Sequence, residues 1–246
     1  MGTTDSGRWF AQWFNTDYLK LYSHRDEREA RSIADLIRAR VPRIAGGLTL
    51  DLACGAGRHV PFLSEQQPTV GFDLSPWLLD VARQKDRSAP LVRGDMQSLP
   101  FRSGAFSLVV NLFTSFGYFM EDAQNKGVLV EVARVTAPGG WLVLDFLNAP
   151  ATRSTVVPFD RTRVGSTWVQ QHRDISASGR FIRKTIELEA EGQVFTERVR
   201  LFEPEELIAM VTDCGFVVAE TLGTYDGQQL TAASPRAIMI GRRVNR

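Results

Sequence analysis

A chain of 246 residues with 43% apolar content is long enough to close one full α/β core, so a single domain with an insertion is expected rather than two independent domains. A net charge of +1 supplies no global attraction to nucleic acid, although 25 arginines against 4 lysines leave room for a local anion-binding patch. Cys54 and Cys214 are the only cysteines and lack metal-ligand spacing, no apolar stretch reaches ~18 residues, and no charged-then-apolar leader opens the chain; these argue against a disulfide scaffold, a metal site and a membrane span, and for the cytoplasm.

Trp9 to Arg25 is rich in aromatics, with Trp13, Phe14, Tyr18 and Tyr22 ahead of His24 and Arg25, and reads either as a lid (residues 1–25) or as a helix docked by its apolar side. From Asp26, Ile33, Leu36, Ile37 and Val41 recur at helical spacing up to Pro42. Leu48 to Leu52 reads as a first strand, Gly57 opens a helix, and Thr69 to Leu74 is a second strand. Ser75-Pro76 is an N-cap with proline at the first helical position, and Leu78, Leu79 and Ala82 share one face. After the short apolar run Pro90 to Val92 come a strand Phe106 to Leu112, a helix Glu121 to Val135, and the turn Pro138-Gly139-Gly140 into a strand Trp141 to Phe146. The period then changes. Thr167 to Ile175, Arg180 to Leu188 and Val194 to Phe202 alternate apolar with polar, which implies antiparallel strands. A helix Pro204 to Asp213, capped by Gly215, leads to two final strands, Phe216 to Leu222 and Ala237 to Arg243.

Asp51, Asp73 and Asp95 recur at intervals of 22 residues, each just after an apolar run, as expected when successive α/β units deliver strand ends to one crevice. Asp51 opens the glycine turn Asp51-Leu52-Ala53-Cys54-Gly55-Ala56-Gly57-Arg58-His59. Such a turn lets backbone N–H groups approach a ligand, and an acid at the next strand end can accept both hydroxyls of a ribose. A dinucleotide turn wants a third glycine where Val60 stands, and no P-loop is present, so neither a nicotinamide cofactor nor a triphosphate is favoured. On Asp51 to Gly57, Asp73, and Asp95 in Gly94-Asp95-Met96, the chain resembles the class I S-adenosylmethionine-dependent methyltransferases, closely over 47–148 and more weakly to the C-terminus.

The resemblance implies one Rossmann-like domain over 1–246: a seven-stranded, mostly parallel sheet with helices on both faces, its last strand antiparallel, and an antiparallel β insertion over 152–202. It implies S-adenosylmethionine as cofactor, with Asp51 and the Ala53-Cys54-Gly55 backbone toward its methionine part, Gly55 and Gly57 allowing close approach, Asp73 with Leu74 on the ribose and Asp95 with Met96 on the adenine. Tyr22, Arg25 and Arg58 join this set, the arginines as partners of the cofactor carboxylate. Asn111, Leu112 and Phe113 start the loop at the end of a central strand, where aromatic faces would stabilise a sulfonium. That loop lacks the paired prolines of the nucleobase aminomethylases, which argues further against nucleic acid.

Methyl transfer needs alignment and exclusion of water more than a catalytic triad. If a base is required, His24, Tyr118 and His172 are the candidates. Acceptor contacts are expected from Tyr18, Phe116, Tyr118, Asn148, Arg198, Arg200, Tyr225 and Asp226, and the acceptor is expected to be a small molecule offering an N or O nucleophile. The insertion offers a route to a homodimer. A nicotinamide oxidoreductase and a catalytically silent S-adenosylmethionine-binding module stand as the alternatives.

Overall fold

The computed structural model describes residues 9–14, 19, 21, 27–165, 167–190 and 192–244. A single turn, α1 (Phe10–Trp13), precedes α2 (Glu27–Arg40), which buries Ile33, Ala34, Leu36 and Ile37. Acids in its first turn and arginines in its last match the helix dipole. Next come β1 (Thr49–Leu52) and α3 (Val60–Ser64), then β2 (Thr69–Asp73), α4 (Pro76–Lys85) and the short β3 (Leu91–Arg93). The Ser75 hydroxyl caps α4 by accepting the N–H of Leu78 at 3.2 Å, with Pro76 at the first helical position as the sequence predicts.

β4 (Phe106–Asn111) passes through α5 (Asp122–Val135) into β5 (Thr136–Leu147). A short α6 (Ala149–Thr155) leads to β6 (Phe159–Val164), β7 (Thr167–Ile175), β8 (Phe181–Leu188) and β9 (Gln193–Arg200). The chain closes with α7 (Pro204–Asp213), β10 (Phe216–Leu222) and β11 (Arg236–Arg243).

Seven strands form the core sheet in the order β10-β11-β5-β4-β1-β2-β3; β11 runs antiparallel to both neighbours, and the β5-to-β3 side is parallel throughout. Every residue of β1 and β4 is buried, as a sheet covered on both faces requires. Val128, Leu129 and Val132 of α5 and Leu207 and Val211 of α7 pack on one face. Ile33 and Ile37 of α2 and Leu63 of α3 pack on the other. Since β1, β2, β4 and β5 are parallel, Ala53, Asp73, Asn111 and Leu147 all emerge along one sheet edge.

The insertion is a separate four-stranded antiparallel sheet, β6-β7-β8-β9. Its edge strand β6 has no counterpart in the sequence reading, because Phe159-Asp160-Arg161-Thr162-Arg163-Val164 carries no apolar alternation and is mostly exposed. The third alternating run ends at Arg200, with Leu201 and Phe202 fully buried beyond it. Pro138 to Gly140 lies inside β5 as an irregularity between the pairs Phe106–Thr136 and Leu108–Trp141. No helix among the described residues is long and apolar enough to cross a membrane.

Candidate functional site

The shared sheet edge opens into a cavity of about 680 Å³. Its floor is the turn after β1 (Ala53, Cys54, Gly55, Arg58, His59), one wall is Asp73, Leu74, Asp95 and Met96, and another is Leu112 to Ser115 with Tyr118. Arg173, Ile182, Lys184, Glu197 and Val199 of the insertion stand above it.

The turn and β2 are tied together by one carboxylate. Asp73 accepts the N–H of Gly55 on Oδ2 and the N–H of Ser75 on Oδ1, both at 2.8 Å. Burial raises the Asp73 pKa even against these two bonds and a third from Leu74. Three bonds to about four lone-pair sites leave the carboxylate room for a further donor. Asp51 is fully buried and its Oδ2 has no hydrogen-bond partner among the described residues. Burial first, then the charge of Asp73, raises its pKa from 3.8 to about 7, with Arg58 acting in the opposite sense. His59, at the far end of the turn, is lowered to about 3 by burial and then by Arg58, so it is neutral across physiological pH. Arg58 pairs with Glu29 at 3.1 Å, sits 4.2 Å over the Phe113 ring, and leaves a buried Nη2 without a hydrogen-bond partner among the described residues.

Gly55 and Gly57 play different parts. Both have left-handed φ, +55° and +71°. Gly55 lines the cavity, whereas a Cβ on Gly57 would stand 3.0 Å from that of Ala82, so Gly57 permits α4 to pack rather than a ligand to approach.

Among the described residues, Ala53, Phe113 and Thr114 are the non-glycine residues with positive φ, at 61°, 58° and 64°, and all three line the cavity. For a β-branched threonine this is an outlier, and each such residue costs of order 1–3 kcal/mol and persists only where its surroundings impose it. Here they do. Asp145, fully buried on β5, accepts the Phe113 N–H at 2.8 Å, the Tyr225 hydroxyl at 2.8 Å and Nε of Arg236 at 2.7 Å, while its carbonyl accepts the Thr114 N–H at 3.0 Å. Burial, then the Asp145 charge, pushes the Tyr225 phenol well above its usual range, so it remains a hydroxyl donor. Neither Asp145 nor Arg236 was expected from sequence.

Residues 9–14 bridge the cavity. The carbonyl of Phe14 accepts the Ser75 hydroxyl at 2.6 Å, and Trp13 Nε1 donates to Glu197 at 2.6 Å. Trp9, Phe10 and Phe14 pack on Tyr118 with ring centroids 5.1, 5.9 and 6.0 Å away. The expected Tyr18, Tyr22, His24 and Arg25 lie outside the described residues.

Several expected site residues stand elsewhere. Asn111 is behind the wall, donating to the carbonyl of Leu52 at 3.0 Å. Phe116 turns into the core against Phe146 and Phe202. Asn148 is buried and ties down the carbonyls of Thr231 and Ser234. Asp226 accepts from Thr224 and Gln228 of its own loop, and Tyr225 reaches the site through Asp145. Strand alternation accounts for the rest. On β9, Glu197 and Val199 face the cavity, so Arg198 and Arg200 fall on the other side; Arg200 pairs with Asp122 and Glu206. On β7, Arg173 faces inward and the exposed His172 packs against Phe159 at 4.7 Å.

Residues 49–140 match a family model described as a methyltransferase domain. A dTDP-3-amino-3,4,6-trideoxy-α-D-glucopyranose N,N-dimethyltransferase of Streptomyces venezuelae is 39% identical over 119 residues, 48% of each chain, so that match spans about half of the relative's length. A dTDP-3-amino-3,6-dideoxy-α-D-glucopyranose N,N-dimethyltransferase of Streptomyces fradiae is 28% identical over 219 residues, 85% of each chain. Among solved structures, the sugar N-methyltransferase KedS8 of a Streptoalloteichus species superposes with a TM-score of 0.71 at 25% identity, covering 93% of this chain and 92% of that one.

Proposed function

We propose that this chain, a member of the class I S-adenosylmethionine-dependent methyltransferases, moves a methyl group to the amine of a small sugar. The observation that carries the reading is one cavity, about 680 Å³, that brings the Gly55 turn and Asp73 together with the Phe113–Ser115 wall beneath the insertion. Its size falls within the roughly 300–1,000 Å³ of small-molecule sites. The residues fit the cofactor: Asp73 retains acceptor capacity for a ribose hydroxyl, and Asp51 Oδ2 and Arg58 Nη2 are a buried acceptor and donor without hydrogen-bond partners among the described residues, suited to an amino-acid ammonium and carboxylate.

When bound, S-adenosylmethionine supplies a methyl group on a cationic sulfur. The protein's share is to hold the acceptor in line and exclude water, worth about 7–11 kcal/mol when alignment is good. Phe113 and Tyr118 would offer aromatic faces to the cation, and of the candidate bases among the described residues Tyr118 lines the cavity and His172 does not. The amine of a sugar is supported by the Streptomyces fradiae relative, whose alignment extends through the insertion, and by KedS8. The insertion over the cavity favours a compact acceptor over a nucleic acid. Exposed Phe159, Trp168 and Val194 on the insertion support a homodimer through that sheet, to be tested by sedimentation, and two unbridged cysteines support a reducing cytoplasm.

The test is release of S-adenosylhomocysteine with mass gain on an acceptor, across amino sugars, sugar alcohols and carboxylates. Turnover confined to amino sugars is the expected result. Tight binding of S-adenosylhomocysteine with no methyl loss to any acceptor would leave a silent binding module instead.

A further inference from the structure

The strained pair Phe113–Thr114 is held from one side. Asp145 engages the Phe113 N–H through its side chain and the Thr114 N–H through its carbonyl. Arg236, paired with Asp145, donates from Nη2 to the Thr114 hydroxyl at 3.0 Å, and its guanidinium carbon lies 5.5 Å from the Phe113 ring centre. Tyr225 donates to the oxygen of Asp145 that also takes the Phe113 N–H. Four segments thus meet on one buried carboxylate: β5, β11, the turn after β10 and the loop after β4.

We propose that Asp145, Arg236 and Tyr225 are positioning residues, a clamp that imposes the left-handed conformation on Phe113 and Thr114 and thereby fixes the acceptor side of the cavity. A need for stability alone does not account for it, since a buried ion pair is commonly matched or bettered by apolar residues of similar volume. The bonds of the clamp also run to the cavity wall rather than into the core: Phe113, Thr114 and Arg236 all line the cavity. Two neighbouring left-handed residues without glycine would relax toward ordinary φ once released, and the loop would leave the position in which it faces the cofactor turn.

The proposal rests on the methyltransferase reading only where turnover is measured. The variants are Tyr225→Phe, which removes one hydrogen bond, and the double change Asp145→Asn with Arg236→Gln, which removes both charges together and leaves none buried alone. Amide hydrogen exchange over residues 112–115 is read first, in the free protein. Exchange is expected to quicken about tenfold or more in the double variant and by a smaller factor in Tyr225→Phe, with the rest of the core sheet unchanged. With an acceptor, kcat should fall about tenfold further than the affinity for S-adenosylhomocysteine, because misplacement of a reacting group acts on the aligned state. Unchanged exchange over 112–115 in both variants overturns the clamp, as does a loss of kcat no larger than the loss of cofactor affinity. Should the double variant fail to fold, the exchange result for Tyr225→Phe decides. Faster exchange in a protein that methylates nothing would sink the proposed function and leave the clamp standing.

Discussion

The backbone N–H of Gly55 donates to Oδ2 of Asp73 at 2.8 Å, so the acid proposed to hold the ribose also fixes the turn proposed to hold the rest of the cofactor. Asparagine at this position has one acceptor oxygen and one amide nitrogen, and either the Gly55 or the Ser75 N–H is left facing a donor. Asp73→Asn is therefore expected to weaken S-adenosylhomocysteine binding at least about tenfold and to lower stability by about 1–3 kcal/mol. Isothermal titration and urea unfolding read the two effects separately. Unchanged affinity beside lowered stability would reduce Asp73 to a turn anchor.

Asp51 and His59 titrate in opposition. With Asp51 raised to about 7, the folded chain holds a proton there that the unfolded chain has already released above 3.8. With His59 lowered to about 3, it lacks a proton that the unfolded chain carries below 6.5. Between those limits the two contributions to the pH slope cancel. Removing the acid, in Asp51→Asn, leaves the unfolded state with the excess proton, so stability should rise with pH across this window relative to wild type, at up to about 1.4 kcal/mol per pH unit. His59→Gln should give the opposite slope. Urea unfolding at about pH 4.5, 5.2 and 6 measures both, and parallel curves for all three proteins would contradict the assigned shifts.

Arg200 tests whether the insertion's arginines bind ligand or hold structure. Its side chain is 3% exposed, pairs with Asp122 and Glu206, donates to the carbonyl of Leu201 at 2.6 Å and lies 4.5 Å over Phe202. Arg200→Ala removes all of these at the junction of β9 with the core. A stability loss of about 3 kcal/mol is expected, with S-adenosylhomocysteine affinity held within about twofold. A loss of affinity in a protein that melts normally would return Arg200 to the site.

What could be read from the chain, and what could not, follows from the range of each interaction. The turn after Asp51 and the 22-residue beat are local or repeat with the α/β unit, and Asp73 and Asp95 duly reach the cavity. Alternation on β9 pairs Arg198 with Arg200 but does not say which face turns inward; packing of the insertion decides that, and Glu197 and Val199 face the cavity. The run from Phe113 to Phe119 likewise divides, Phe113 and Tyr118 to the cavity and Phe116 to the core. Asp145 and Arg236 are 91 residues apart and meet only through the antiparallel β5–β11 register, which nothing in either segment announces.

The two glycines of the turn separate ligand approach from packing. Alanine at either position must adopt a left-handed φ, a penalty of about 1 kcal/mol that both variants share. At Gly57 the new Cβ also meets Ala82 at 3.0 Å, and α4 must give way. At Gly55 its nearest neighbour is Leu78 at 3.7 Å, an ordinary contact, and the residue lines the cavity. Gly57→Ala should therefore unfold at lower urea than Gly55→Ala, by about 1 kcal/mol. Affinity should reverse that order: Gly55→Ala is expected to lose about tenfold or more for S-adenosylhomocysteine and Gly57→Ala only a few-fold. Equal loss of affinity in the two variants would mean that the ligand lies along the whole turn, and that the packing role assigned to Gly57 is secondary to contact with the cofactor.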